Sequence, residues 1–382
     1  MKKKKRIILV KAGLDGHDQG INVIKDFLIE EGYEVFYFGL YRQMRDIAEM
    51  AIQEGVDFIG LSVHNAAHFE YTKEIYDYLK KHNALDIAMV VGGIIPEEDK
   101  IVLEKDFGVK HVFVSGTHDA NLNDIKDFFR KNSGRNINPK LILENKSKNN
   151  LGLFISELAN GSEEALGIVK NLLCKDVLTI GITGHQGVGK STLIDHLITQ
   201  FRILNKKVGV IAVDPSDCIF GGAFLGGDRT KMWRHLFDEN VHIYSMATRD
   251  GHGGIADTTG LAVKAMKIVG CDIVIVETIG VGQDQTAVRT IADMTGLILT
   301  PDTGEDQVYK SGIMQVADFY VINKTDIMPA LPLEKFLNEM LDNKVNFSGK
   351  SKSRPFIIST NNKNCLGIQK LSEKILEYGR NL

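Results

Sequence analysis

The residues best placed to do chemistry are Gly184-His185-Gln186-Gly187-Val188-Gly189-Lys190-Ser191-Thr192, which fit GxxxxGK[ST]. Gly184, Gly187 and Gly189 let backbone N–H groups wrap a phosphate. Lys190 can reach the β and γ oxygens, and Ser191 offers its hydroxyl to Mg²⁺. Val188 and Thr192 belong to the same loop and first helical turn and count with the nucleotide-binding residues. Asn323-Lys324-Thr325-Asp326 reads NKxD, in which the Asp carboxylate accepts from a ring N–H and exocyclic amine that guanine presents and adenine does not. Alone, that tetrapeptide is usually a turn; after a phosphate loop and at the end of a late strand it selects GTP over ATP. Ser359-Thr360 follows the run PFII, either as the backbone loop behind the base or as a plain turn.

Two carboxylates end apolar runs. Glu277 closes DIVIVE and is followed by Gly280, whose amide can turn toward a γ-phosphate; Asp214 closes VGVIAVD. Either could be a solvated strand end, but two of them beside a phosphate loop point to direct or water-mediated metal contact. Lys190, Asp214 and Glu277 are therefore the candidate catalytic set.

Near the start, Asp15-Gly16-His17-Asp18-Gln19-Gly20 spells DxHxxG. The imidazole of His17 can bind a metal through one nitrogen while Asp15 accepts a hydrogen bond from the other, which raises ligand basicity and fixes the tautomer. Gly20 permits close approach. A polar surface histidine is the plainer alternative. Cys174, Cys218, Cys271 and Cys365 stand far apart with no CxxC pair, which argues against zinc and disulfides and for reduced cytosolic thiols.

The elements that must position these residues form two series. Short apolar runs at Ile7–Val10, Glu34–Gly39, Asp57–Val63, Ile87–Gly93 and Val112–Gly116 each precede a helical pattern, at Asn22–Glu31, Arg45–Glu54, Tyr71–Lys81, Glu97–Phe107 and Asn121–Lys131. Five βα units predict an α/β fold with a parallel sheet, flavodoxin-like (Rossmann-like). Residues 132–152, rich in Asn, Lys and Ser, read as a linker. A lead-in helix Leu153–Lys175 opens a second α/β series, a P-loop domain, with strands at Leu178–Thr183, Val208–Val213, His242–Met246, Asp272–Glu277, Gly296–Thr300, Phe319–Asn323 and Phe356–Ser359.

Lys+Arg number 46 against 49 Asp+Glu, a net charge of −3, which speaks against a nucleic-acid coat or a membrane-surface protein. The basic start MKKKKR precedes only Ile7–Val10 before Lys11, too short for a secretory apolar region. No apolar run reaches bilayer length, so a soluble cytoplasmic protein is expected.

Taken together, GITGHQGVGKST, VIAVDPSD, FGGAFLGGDRTKM, GGIADTT, DIVIVETIGVGQ and VINKTD resemble the methylmalonyl-CoA mutase-associated GTPases, G-protein chaperones of adenosylcobalamin-dependent mutases. That resemblance covers 153–382. It implies that Asp228 joins Ser191, Asp214 and Glu277 around Mg²⁺, and that GTP binding and hydrolysis to GDP gate delivery and protection of cobalamin. DGHDQG, GLSVHNAAH, VVGGIIP and VFVSGT resemble the cobalamin-binding domain of acyl-CoA mutases, from about Arg6 to Phe129 within a domain of residues 1–131. In that family His17 would become the lower axial ligand to cobalt, and Ser62 with Gly92-Gly93 would line a deep pocket, with Gly116-Thr117 closing the pattern. His64 stands where a Leu often lies, and Val114-Ser115 replaces a Gly-Pro. In the switch, Lys231 stands where the family carries an arginine, after one extra glycine at Gly226-Gly227; the arginine's role would pass to Arg229 or weaken. PDTGEDQVYKSG is one residue short of the partner-sensing switch, and little chain follows the base loop to form a dimerisation arm.

The combination resembles the front two modules of the fused isobutyryl-CoA mutases. It implies a cobalamin-binding small subunit fused to its GTPase chaperone, serving a separate acyl-CoA mutase barrel subunit, since the radical chemistry needs a water-excluded chamber over the cobalt. Adenosylcobalamin, Mg²⁺ and GTP/GDP are the implied cofactors; an adenosyltransferase and a second copy of the chain are the further implied partners. The alternative is a cobalamin-sensing or corrinoid-activating GTPase that joins no mutase.

Overall fold

All six residues of RIILVK are buried, as a parallel strand covered by helices on both faces requires. In the computed structural model the described residues are 3–12, 16, 18–39, 42–114, 122–132, 134–135, 138–144, 148–172, 176–217, 219–249, 258–279, 283–303, 317–342 and 354–380. They divide into two compact units, Met1–Asn171 with Ser216–Gly227, and Leu172–Pro215 with Asp228–Leu382.

The first unit runs β1 (Arg6–Lys11), α1 (Gln19–Glu30), β2 (Glu34–Tyr37), α2 (Met44–Gln53), β3 (Phe58–Val63), α3 (His68–Lys81), β4 (Ala88–Gly93), α4 (Glu97–Asp106), β5 (Val109–Val114) and α5 (Leu122–Lys131). Three helices follow, α6 (Leu141–Glu144), α7 (Lys148–Ala159) and α8 (Glu163–Asn171). The sheet is parallel, in the order β5-β4-β3-β1-β2. This is the flavodoxin-like order expected. Its strand order reverses between β1 and β3, so their carboxyl ends flank the crevice where such sheets bind ligands. Ile7, Leu9, Leu28, Val35, Phe58 and Phe129 form the core on one side of the sheet. At the strands' other end Arg6 is buried between two carboxylates, with Nη1 3.1 Å from Glu34 and Nη2 2.7 Å from Glu54.

Differences from expectation have local causes. β5 starts at Val109 rather than Val112 because Gly108, at φ +61°, ends the preceding helix and releases the chain directly into the sheet. The lead-in helix is two helices, broken at Gly161 (φ +78°). They group with the first unit, where Gly152 lies so close to the end of α2 that a Cβ would stand 2.1 Å from the Gln53 carbonyl oxygen. A sixth strand, β8 (Ala223–Leu225), pairs in parallel with β2 at the sheet edge and was not expected.

The second unit is built from β6 (Leu178–Thr183), α9 (Lys190–Ile203), β7 (Val208–Asp214), a 3-10 turn Asp228–His235, β9 (Val241–Ala247), α10 (Thr259–Ile268), β10 (Ile273–Glu277), a second 3-10 turn Gln283–Thr290, β11 (Met294–Leu299), β12 (Phe319–Ile322), α11 (Leu331–Asp342), β13 (Phe356–Ser359) and α12 (Ile368–Gly379). Its parallel sheet has the order β13-β12-β11-β6-β10-β7-β9. β6 is central, so the loop at 184–189 leaves the middle of the carboxyl edge. Glu277 ends β10 level with Ile182 of β6, and Asp214 ends β7 level with Ala247 of β9. Leu193, Ile194, Leu197, Ile198 and Phe201 give α9 a fully buried face against this sheet, joined by Leu371 and Ile375 of α12. Among the described residues no helix is long and apolar enough to cross a membrane.

Candidate functional site

The phosphate loop is held open by backbone that only glycine accepts. Gly189, at φ +94°, caps α9, and a Cβ on it would lie 2.6 Å from the amide nitrogen of Asn323. Lys190, almost fully buried, donates to the carbonyls of Gly184 (3.0 Å) and His185 (3.2 Å). Burial lowers its pKa, opposed by the charges of Glu277 and Asp228. Thr192 follows in the first turn of α9.

Three oxygens meet beside it. The hydroxyl of Ser191 is 2.7 Å from Asp228 Oδ1 and 2.8 Å from Glu277 Oε1. One hydroxyl proton serves only one of these contacts, so the other needs a proton on Glu277 or a cation between the groups. Glu277 is fully buried, and its Oε2 has no hydrogen-bond partner among the described residues. Its pKa stands well above the ordinary 4.5, first through burial and then through the Asp228 charge, with Lys190 and the Ser191 hydrogen bond pulling the other way and Asp214 adding to the rise. The orphaned oxygen and the all-oxygen donor set fit Mg²⁺. Among the described residues no group of three His, Cys, Asp or Glu could hold a metal by itself. Of the expected set, Ser191, Asp228 and Glu277 converge through the serine hydroxyl, and Asp214 acts on Glu277 through its charge.

On the guanine side, buried Asn323 braces two loops. Its Nδ2 donates to the Val188 carbonyl (2.8 Å), and its Oδ1 accepts from Thr360 Oγ1 (3.2 Å). Thr360 in turn accepts at its carbonyl from Thr325 Oγ1 (3.1 Å). Lys324 takes a left-handed φ of +63°, and Asp326 pairs with Lys363 (2.9 Å), whose hydrogen bond lowers the Asp326 pKa. A cleft of about 590 Å³ opens between Gln186, Gly187 and Val188 on one side and Thr300, Asp302 and Lys324 on the other. Ser359 Oγ donates to Glu334 (3.3 Å), so Thr360 is the residue that ties this loop to the base motif. A second tie, unmarked by any motif, runs from Asn362 Nδ2 to the Gly189 carbonyl (3.1 Å). Arg229 is buried and bonded to the Ile243 carbonyl of β9, whereas Lys231 is exposed. Gly280 lies outside the described residues.

In the first unit, four expected residues line one cavity of about 340 Å³: Gly20, Ser62, Gly92 and Gly93. Leu9, Val90, Phe113 and Phe129 make it apolar, and His64 also lines it. A Cβ on Gly93, at φ +138°, would overlap the Val63 carbonyl at 1.7 Å, which keeps that wall bare. Lys11, the last residue of β1, was missed; its Nζ lies 2.5 Å from His64 Nδ1 and 3.4 Å from Ser62 Oγ. Only its place at the end of an apolar strand marked it in advance. An apolar recess with the Ser62 hydroxyl and the His64 imidazole on its lining fits a flat hydrophobic group with a polar attachment, as a cobalamin tail is. Asp15, His17, Gly116 and Thr117 lie outside the described residues.

Comparison with known proteins bears out both sequence resemblances. The family model for methylmalonyl-CoA mutase-associated GTPase MeaB matches residues 151–382, and that for the B12 binding domain matches 5–123. The chain is 40% identical to a candidate GTPase of Pyrococcus abyssi over 228 residues, 59% of this chain and 70% of that one. It is 31% identical to the fused isobutyryl-CoA mutase of Geobacillus kaustophilus over 342 residues, 84% of this chain and 31% of the mutase, so it spans about a third of that protein. The mitochondrial methylmalonic aciduria type A homolog of Mus musculus is 39% identical over 155 residues, 40% of this chain and 37% of that one.

Proposed function

Because the chain belongs to the methylmalonyl-CoA mutase-associated GTPases and carries a B12-binding domain ahead of that module, we propose that it holds adenosylcobalamin and hydrolyses GTP to gate cofactor access for an acyl-CoA mutase. The chain spans about a third of the fused isobutyryl-CoA mutases it matches, and an acyl-CoA mutase catalytic subunit is the partner this reading proposes. The observation that carries the reading is the convergence of Gly20, Ser62, Gly92 and Gly93 on one apolar cavity in a chain that also builds a phosphate loop.

The roles follow from the positions. Lys190 turns from the loop carbonyls to the β and γ oxygens of GTP. Ser191, Asp228 and Glu277 would hold Mg²⁺ with Asp214 adding its charge, and there the ion would offset charge developing on the transferred phosphoryl group. Asp326 reads guanine, Asn323 keeps the base loop in register with the phosphate loop, Ser359 and Thr360 supply backbone beside the base, and Gly280 would turn its amide toward the γ-phosphate. In the first unit His17, with Asp15 as its hydrogen-bond partner, would hold cobalt, and Ser62, Gly92 and Gly93, with Gly116 and Thr117, would hold the tail of the cofactor. Bound adenosylcobalamin supplies a cobalt–carbon bond that cleaves homolytically. A second copy of the chain and an adenosyltransferase are the further partners this reading implies, in the cytoplasm.

Absorbance titration with adenosylcobalamin tests the cofactor half. Wild type is expected to change the cobalt spectrum and His17→Ala to lose that change. Mixing with a mutase barrel chain tests the other half: isomerase activity should appear only with both chains. Tight binding of both ligands with no activity on mixing would favour a cobalamin-sensing GTPase instead.

A further inference from the structure

The segment Ser216–Gly227 lies in sequence between two carboxylates of the nucleotide site, Asp214 and Asp228, yet it is part of the first unit. Its β8 residues Ala223, Phe224 and Leu225 stand level with Glu34, Val35 and Phe36 of β2. Ala223 N donates to the Tyr33 carbonyl (3.0 Å). Ala223 and Leu225 are buried and Phe224 is exposed, the alternation of a strand with one face on a core.

The seat for this strand is built rather than incidental. Asp217 N donates to the Gly222 carbonyl (2.8 Å), and Asp217 Oδ1 accepts from the amides of Ile219 (2.8 Å) and Phe220 (2.7 Å), closing a tight turn. Lys4 donates to the Gly221 carbonyl, and the Lys25 ammonium lies 5.5 Å from the Phe224 ring centre. A Cβ on Gly222 would stand 2.0 Å from the Ile29 carbonyl oxygen. At the far end Gly226, at φ +86°, passes so close to Phe38 that a Cβ would come within 2.6 Å of its ring. Gly222 and Gly226 of FGGAFLGG therefore fit the segment to the sheet.

We propose that Ser216–Gly227 is a nucleotide-responsive edge strand, docked on β2 of the cobalamin-binding sheet and tightened when Mg²⁺ and a γ-phosphate fix Asp228. Gly227 is joined directly to Asp228, whose carboxylate meets Ser191 and Glu277 at the phosphate loop. Restraining one end of a short segment reduces the freedom it loses on pairing, so β8 docks more firmly. β2 pairs with β1, which contributes Leu9 to the apolar cavity and stands a few residues before His17 in the sequence. This inference rests on the proposed function and adds the route by which nucleotide state reaches the cobalamin sheet.

Peptide-level amide hydrogen exchange of the full chain, read over residues 33–38 and 216–227, tests it. Exchange is expected to be at least threefold slower with Mg²⁺ and a non-hydrolysable GTP analogue than with Mg²⁺ and GDP. Gly222→Val, which drives a side chain into the Ile29 carbonyl, should abolish that difference while leaving affinity for a fluorescent GDP within twofold. Lys4→Met, a milder change at the same turn, should reduce the difference and keeps the test open if the valine variant fails to fold. If both nucleotides bind with equal exchange in the segment, the strand switch is wrong and the GTPase reading stands. If no guanine nucleotide binds, both fall.

Discussion

At the scale of single residues the nucleotide site is a problem in charge placement. Glu277 is buried with Asp228 near it and only one serine proton to share, so its ionised form is costly until a cation arrives. A carboxyl whose folded pKa is raised lends stability that is present below its unfolded pKa and lost as pH rises toward the folded value. Without nucleotide or Mg²⁺, thermal stability should therefore fall as pH increases from about 4.5. Glu277→Gln should flatten that slope in a melting series and weaken Mg²⁺-dependent GTP binding; an unchanged slope would remove Glu277 as its cause. Asn323→Ala should cost two hydrogen bonds, on the order of 2 kcal/mol or roughly thirtyfold in GDP affinity, measured by fluorescent nucleotide displacement. The phosphate loop and base motif were legible because their residues are contiguous and their spacing is set by the ligand. Lys11 and Asn362 were not, because each acquires its role from a neighbour distant in sequence: Lys11 from Ser62 and His64, Asn362 from Gly189.

At the scale of elements, the sheets follow from apolar runs that need cover on both faces, and for this reason the strands of both series were readable. β8 was invisible in advance, since three residues carry no periodicity and its pairing partner β2 is remote in sequence. The lead-in helix was overextended because its apolar spacing continues across Gly161 while the backbone does not. Arg6 is the element-scale weak point: it neutralises Glu34 on β2 and Glu54 just after α2, all three almost fully buried. Arg6→Ala should destabilise the first unit by about 3–5 kcal/mol in urea unfolding, because two carboxylates lose their counter-ion. Adding Glu34→Gln and Glu54→Gln should recover part of the loss; no recovery would mean that packing of the Arg6 stem, not charge, holds the site.

At the scale of the whole molecule, one chain carries a B12-binding domain with an apolar cavity in one unit and a GTPase module with its phosphate loop in the other. If GTP gates the cofactor, linkage makes the effect mutual: the factor by which the GTP analogue changes cobalamin affinity equals the factor by which cobalamin changes affinity for the analogue. Both can be titrated without a mutase present. The most direct test of the account is equilibrium binding of adenosylcobalamin, followed by absorbance, to the full chain with Mg²⁺ and either GDP or a non-hydrolysable GTP analogue. The account predicts dissociation constants that differ by at least about fivefold between the two nucleotides; identical constants, with both nucleotides bound, would contradict it.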